Sequence, residues 1–204
     1  MSWVKICGLT SPAAVDAALE AGVDAIGFVL SPSPRRVDPR TAARLAAPAR
    51  GRLELVAVTL APTQALIDAV LAEFAPDVLQ ADLADLAGLT LPRELGLLPV
   101  LRAGAAPPAT LPARTLIDGV RGGSGEPWDW ASARELARRT QLVLAGGLGL
   151  ASVAGAIAAV RPHGVDVSSA VEEAPGIKSP AKIRAFVAAA RAAFEALDPA
   201  VASR

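Results

Sequence analysis

The chain reads as α/β and, within that class, as a compact (β/α)8, or TIM, barrel. Three observations carry that reading. Eight apolar, β-rich runs alternate with helical patterns along 204 residues. Most of these runs are near-continuous hydrophobics, as strands covered on both faces are. Several helical patterns open with a capping side chain followed by proline. Strand alternating with helix implies parallel strands joined by right-handed crossovers. The competing architecture is an open doubly wound sheet. It needs a switch point, and no Gly-x-Gly-x-x-Gly follows the first strand.

The elements follow in order. The first strand, 4–7, stops at Gly8, and Ser11-Pro12 starts a helix. The second, 25–30, leads to a helix start at Asp38-Pro39. The third, 53–60, precedes a weaker start at Ala61-Pro62-Thr63. Ile67, Val70, Leu71 and Phe74 then follow at i, i+3, i+4 and i+7. After the fourth strand, 78–82, only a short helix fits before Gly96. After the fifth, 97–102, three prolines between Ala103 and Ala113 favour a loop. The sixth, seventh and eighth strands are 114–120, 141–148 and 165–171. Ser179-Pro180 opens a last helix with Ile183, Phe186, Val187 and Ala190 on its apolar stripe. Helices shortened or missing after strands four and five suit so short a barrel. One domain spans 1–204, with no linker, and 198–204 is expected to fray.

Composition narrows the function. Twenty Lys and Arg balance twenty Asp and Glu, so the formal net charge is zero. Nucleic acid and anionic membranes need a basic surface and are not expected partners. Only 3% of residues are aromatic, so the core must be aliphatic. One cysteine forbids an internal disulfide and fits a reducing cytoplasm. One cysteine and one histidine make a Cys/His metal site improbable, and no metal is expected. No signal peptide and no membrane-length apolar run are read.

The chemistry-bearing residues fall at strand ends. Cys7 closes the first strand, and Lys5 shares its face two residues earlier. A neighbouring cation favours the thiolate, the form that accepts a proton. Asp118 closes the sixth strand in Thr115-Leu116-Ile117-Asp118-Gly119. Burying it unpaired is costly, so a site role competes with a helix cap or an ion pair. Arg35-Arg36 follows Ser31-Pro32-Ser33-Pro34 after the second strand, and a guanidinium can grip a carboxylate through two bonds. Gly122-Gly123-Ser124-Gly125, Ala145-Gly146-Gly147-Leu148 and Ser168-Ser169-Ala170 follow late strands. Glycine lets backbone N–H groups approach an anion, and loops after strands seven and eight of such barrels often hold phosphate. Asp166 shares a face with Ser168, and closure of the barrel sets it beside Lys5. His163 precedes the eighth strand, at the end away from catalysis, and reads as a surface residue.

Together these segments resemble the phosphoribosylanthranilate isomerase family of tryptophan biosynthesis, nearly end to end. The resemblance rests on Lys5-Ile6-Cys7-Gly8-Leu9-Thr10, Gly27-Phe28-Val29-Leu30, Ser33-Pro34-Arg35-Arg36 and Gly122-Gly123-Ser124-Gly125 with Trp128-Asp129-Trp130. It extends through Leu144-Ala145-Gly146-Gly147-Leu148, Val165-Asp166-Val167-Ser168-Ser169 and the stretch Glu172 to Lys178. It implies a cofactor-free Amadori rearrangement of N-(5-phosphoribosyl)anthranilate to 1-(2-carboxyphenylamino)-1-deoxyribulose 5-phosphate. In the family the residue matching Asp118 is the general acid and that matching Cys7 the general base. The residue matching Arg36 holds the anthranilate carboxylate. Backbone groups matching Gly146, Gly147, Ser168 and Ser169 hold the phosphate, with Gly123, Gly125 and Asp166 also lining the substrate.

The sequence departs from the family pattern at three places. Asp82 stands where the fourth strand usually has histidine, Val58-Thr59-Leu60 replaces a more usual Phe-Val, and Ala170 replaces a phosphate-loop glycine. A metal-dependent ribulose-phosphate epimerase would need several His and acidic ligands, and a histidine-pathway sugar isomerase would not need Cys7. The alternative kept is a non-catalytic phosphate-binding barrel derived from the same family. A monomer is expected over a homodimer.

Overall fold

The computed structural model describes residues 2–119 and 128–197. Its strands are β1 (Trp3–Cys7), β2 (Ala25–Val29), β3 (Glu54–Val58), β4 (Val78–Asp82), β5 (Gly96–Arg102), β6 (Arg114–Asp118), β7 (Gln141–Leu144) and β8 (Gly164–Val167). They pair in parallel and in sequence order, and β8 closes on β1 to make a barrel. All eight lie within, or one or two residues from, the runs read from the sequence.

The helices are α1 (Pro12–Ala21), α2 (Pro39–Ala46), α3 (Gln64–Glu73), α4 (Leu83–Leu86), α5 (Arg134–Ala137), α6 (Val153–Val160) and α7 (Pro180–Leu197). Ser11, Asp38 and Thr63 each accept a hydrogen bond from a backbone N–H in the first turn of α1, α2 and α3. Proline at the first helical position of α1 and α2 loses no bond there, because that N–H has no partner inside the helix. α4 is a single turn, and between β5 and β6 no helix forms, as the prolines foretold.

Two features depart from expectation. After Asp129 the chain makes a 3-10 turn, Trp130–Ala133, and then only the one-turn α5. After β8 a 3-10 turn, Ser169–Val171, leads into an antiparallel hairpin of β9 (Glu172–Ala174) and β10 (Ile177–Lys178) before α7 begins. The sequence predicts a seventh strand to Leu148, where β7 ends at Leu144, and an eighth to Val171. The eighth stops at Val167 because Ser168 leaves extended geometry, with φ −130° and ψ −81°.

Side-chain alternation divides the interior into two cores. Outward-facing Ile6, Ile26, Phe28, Leu55, Leu79, Ile117 and Val165 pack beneath the helices. Phe28 meets Phe74 of the α3 C-terminus edge to face, centroids 5.4 Å apart. The stripe Ile183, Phe186, Val187 and Ala190 is buried as expected, and α7 packs between α1 and α6. Inside the barrel, Trp3, Val56, Val78, Leu98, Leu116 and Val143 form a smaller cluster. Among the described residues no helix is long and apolar enough to cross a membrane. The expected fraying of 198–204 concerns residues outside those described.

Candidate active site

Above the inner cluster, a cavity of about 560 Å³ opens at the C-terminal ends of the strands. The position is dictated by topology: each strand ends there and hands the chain to a loop. Cys7, Val58, Asp82, Arg102 and Asp118 reach it from the last positions of β1, β3, β4, β5 and β6. Asp166 reaches it from β8, Ser168 from just beyond that strand, and Ala145, Gly146 and Gly147 from the turn after β7.

The base of the cavity is a buried ion pair. Lys5 Nζ donates to Asp166 Oδ1 at 2.9 Å, and Lys5 is entirely buried. The residues are register partners across the β1–β8 seam, so closure of the barrel itself places them together, as the sequence suggested. Burial works against the Lys5 charge, but Asp166 and Cys7 together outweigh it and hold the ammonium above its ordinary value. Cys7 stands one turn of the pleat above, with its thiol in the cavity and only 7% of the residue exposed. Here one expectation fails. Burial pushes the Cys7 thiol up from its ordinary value, and the opposing pulls of Lys5 and Lys178 do not overcome it. Lys5 is already committed to Asp166, so the thiol faces a neutralised pair. Gly27 on β2 leaves the room these groups occupy: a Cβ there would lie 2.9 Å from Lys5 Cε and 3.2 Å from Cys7 Sγ.

Asp118 ends β6, three strands from β1 by way of β8 and β7. Its Oδ1 accepts from Gly119 N–H at 2.8 Å and its Oδ2 from Arg102 Nη1 at 3.0 Å. Arg102 also donates through Nε to Asp82 Oδ2 at 3.2 Å and through Nη2 to Asp82 Oδ1. Sequence reasoning left Asp82 without a partner and did not single out Arg102. The signal was present: both are the last residue of a strand, on the inward phase, on adjacent strands. Gly146 backs this group with φ +78°, and a Cβ on it would lie 2.9 Å from Asp118 Oδ1. The two tryptophans of Trp128-Asp129-Trp130 pin the turn after β7, Trp128 Nε1 donating to Ala145 O at 3.1 Å and Trp130 Nε1 to Gly146 O at 2.9 Å.

At the remaining side, Ser168 Oγ donates to Cys7 O at 3.1 Å, linking β8 to the thiol-bearing strand. Ser169 also lines the cavity. Ala170 lies in the 3-10 turn and is not among the residues with positive φ, so alanine is accommodated without strain. Gly123 and Gly125 fall outside the described residues. Of the two loop arginines, Arg35 lines the cavity, its guanidinium forked onto Glu172 at 2.7 and 2.8 Å. Arg36 is exposed and is not among the cavity-lining residues. Gln80 of β4 also lines the cavity. Its Oε1 is buried with no hydrogen-bond donor among the described residues, and the sequence reading gave it no role. His163 lies before β8, at the far end of the barrel.

An acid, a thiol and a glycine-lined turn around one cavity are the parts of a proton-transfer site for a phosphorylated substrate. The model of the family described as N-(5'-phosphoribosyl)anthranilate (PRA) isomerase matches residues 4–189. The chain belongs to this family. An N-(5'-phosphoribosyl)anthranilate isomerase from Afipia carboxidovorans is 41% identical, over 96% of this chain and 92% of its own. The crystal structure of TrpF from Jonesia denitrificans is 39% identical and superposes with a TM-score of 0.78, over 95% of this chain and 98% of that one. A phosphoribosyl anthranilate isomerase in complex with reduced 1-(o-carboxyphenylamino)-1-deoxyribulose 5-phosphate is 28% identical, with a TM-score of 0.75 over 94% of this chain and 100% of that one. The barrel expected from the sequence is thus the fold of this family.

Proposed function

We propose that this member of the family converts N-(5'-phosphoribosyl)anthranilate to 1-(2-carboxyphenylamino)-1-deoxyribulose 5-phosphate by general acid–base catalysis, with Asp118 as acid and Cys7 as base. The observation that carries the proposal is the convergence of Cys7, Asp118 and the turns after β7 and β8 on one cavity. Asp118 gives its proton to the furanose ring oxygen, and the ring opens to a Schiff base. Cys7, entering the step as its thiolate, takes the C2′ proton and becomes the thiol, leaving an enolamine. The enolamine gains a proton at C1′ and loses one from the C2′ hydroxyl, giving the ketone. Side chains supply both transfers, so the reaction needs no cofactor or metal.

The backbone N–H groups at Gly146, Gly147, Ser168 and Ser169 are assigned to the phosphate, and Gly123 and Gly125, outside the described residues, to the substrate. Asp166 holds Lys5 beneath the reacting carbons. The anthranilate carboxylate is assigned to Arg36 on the family resemblance, which requires its exposed side chain to turn in over the cavity; Arg35, held by Glu172, supports the same loop. The non-catalytic alternative drew on Asp82 and Ala170. Asp82 is paired with Arg102 and Ala170 is unstrained, so neither now favours it.

We read the protein as a cytoplasmic monomer. Its one cysteine is a buried free thiol, as a reducing compartment permits. The exposed large apolar side chains among the described residues, Leu60, Leu97, Leu150 and Ile177, lie on four separate segments. Sedimentation at micromolar concentration tests the monomer.

The activity is tested by following anthranilate-type fluorescence during turnover. Purified protein is expected to turn over substrate, whereas Cys7→Ala and Asp118→Asn each lose about 10²–10⁴-fold in kcat while folding normally. Near-wild-type turnover in either variant removes that residue's assigned role.

A further inference from the structure

We propose that Arg102, gripped on one edge by Asp82, is the positioning residue for Asp118 and that Asp82 and Arg102 work as one unit. The inference rests on reading Asp118 as the general acid. Arg102 and Asp118 are register partners on β5 and β6, and Asp82 ends the next strand along. The guanidinium bridges them. Its Nε and Nη2 form a fork on both Asp82 oxygens, and its Nη1 reaches Asp118 Oδ2 at 3.0 Å. A planar fork held on one edge cannot rotate freely, so the third bond fixes a direction as well as a distance. All three side chains line the cavity and are 19–28% exposed, so they stand at its wall and not in bulk solvent. With Gly119 N–H on Oδ1 and Gly146 packed behind, the Asp118 carboxyl is constrained on several sides.

Asp82 anchors the fork. The residue that departs from the family pattern at the fourth strand holds Arg102 by two bonds, which leaves the third directed at Asp118.

The test uses Arg102→Ala, Arg102→Lys, Asp82→Asn, Asp118→Asn and the double variant Arg102→Ala/Asp118→Asn, each first compared with wild type by thermal melting. Arg102→Ala is expected to lower kcat about tenfold to a hundredfold with KM altered by less than about threefold. Arg102→Lys keeps the charge and the bulk of the side chain but not the fork, and it is expected to lose kcat to a similar extent. Asp82→Asn is expected to lower kcat several-fold, in the same direction. In the Asp118→Asn background, measured by single turnover at high enzyme, Arg102→Ala is expected to cost nothing further, within about twofold. A full additional loss in that background means a structural role and overturns the proposal. Wild-type kcat in both Arg102 variants overturns it as well. Were Asp118→Asn itself to retain turnover, the acid assignment would fall. An inactive Asp118→Asn beside unaltered Arg102 variants would sink the positioning inference alone.

Discussion

Cys7 is the residue on which sequence and structure pull in different directions. Two residues from a lysine, a thiol looks poised to ionise. In the folded protein that lysine serves Asp166, burial dominates, and the thiol of the ligand-free enzyme is held above 9.0. As the chain has one cysteine, thiolate absorbance near 240 nm reports it alone. The titration is expected to lie above 9.0, and Lys5→Met is expected to raise it further, because Lys5 is a cation that still pulls the thiol down. A midpoint below 9.0 in the free enzyme would contradict the dominance of burial. Gly27 makes a second prediction here. Lys5 is fully buried and tied to Asp166, so it cannot yield to a methyl group 2.9 Å from its Cε. Gly27→Ala is expected to cost about 1–3 kcal/mol in urea unfolding. An unchanged midpoint would mean that β2 shifts to make room.

At the scale of elements, the β9–β10 hairpin joins loops that the barrel alone leaves apart. Glu172 accepts from Arg35 and, at 2.7 Å, from Lys178 Nζ, which also donates to Ser168 O at 2.9 Å. Thr10 Oγ1 donates to Gly176 O at 2.6 Å, and Gly176, at φ +84°, leaves no space for a Cβ against Pro34 O. Three catalytic-end loops are therefore tied to one turn. Glu172→Gln leaves Lys178 buried without its carboxylate and is expected to cost about 3–5 kcal/mol. The pH dependence has a definite sign. Burial pushes the Glu172 carboxyl up, but the bonds from Arg35 and Lys178 win and hold it below 4.5. A carboxyl lowered on folding stabilises above its unfolded value and stops doing so as pH falls through the folded one. The stability gap between wild type and Glu172→Gln is thus expected to narrow as pH drops below 4.5, read as urea midpoints. A gap that widens on acidification would reverse the assignment.

The hairpin also marks where sequence reading stops. The eight strands were legible because a buried parallel strand must be apolar throughout, and the helix starts because Ser-Pro and Asp-Pro are local signals. Two and three residues in antiparallel pairing leave no period to detect. Arg35 and Arg36 are adjacent in a loop, where nothing in the sequence fixes which one turns inward. Lys5 and Asp166 could be paired in advance because closure makes β1 and β8 neighbours. The same logic applies to Asp82, Arg102 and Asp118, but it needs every strand to end in register, which only the structure supplies.

On the scale of the whole molecule, the barrel keeps its chemistry and part of its stability at opposite ends. The inner core begins at Trp3, whose Nε1 donates to Glu54 Oε2 at 3.1 Å. Arg114 lies over the indole, 5.4 Å from the ring centroid, and donates to the same carboxylate at 2.9 Å. Gly164 closes against this plug: a Cβ there would lie 2.5 Å from Trp3 O. These residues start β1, β3, β6 and β8, whereas Cys7, Asp118 and Ser168 stand at or just beyond the ends of β1, β6 and β8. Trp3→Ala is therefore expected to cost about 3–5 kcal/mol, lowering Tm by about 2–4 °C per kcal/mol. Below the new transition, kcat per folded molecule is expected to match wild type, because at least Val56, Leu98, Leu116 and Val143 of the inner cluster still support the floor of the cavity. A fall in kcat at temperatures where circular dichroism shows the variant fully folded would mean that the plug sets the geometry of the strand ends, and that the two ends are mechanically coupled.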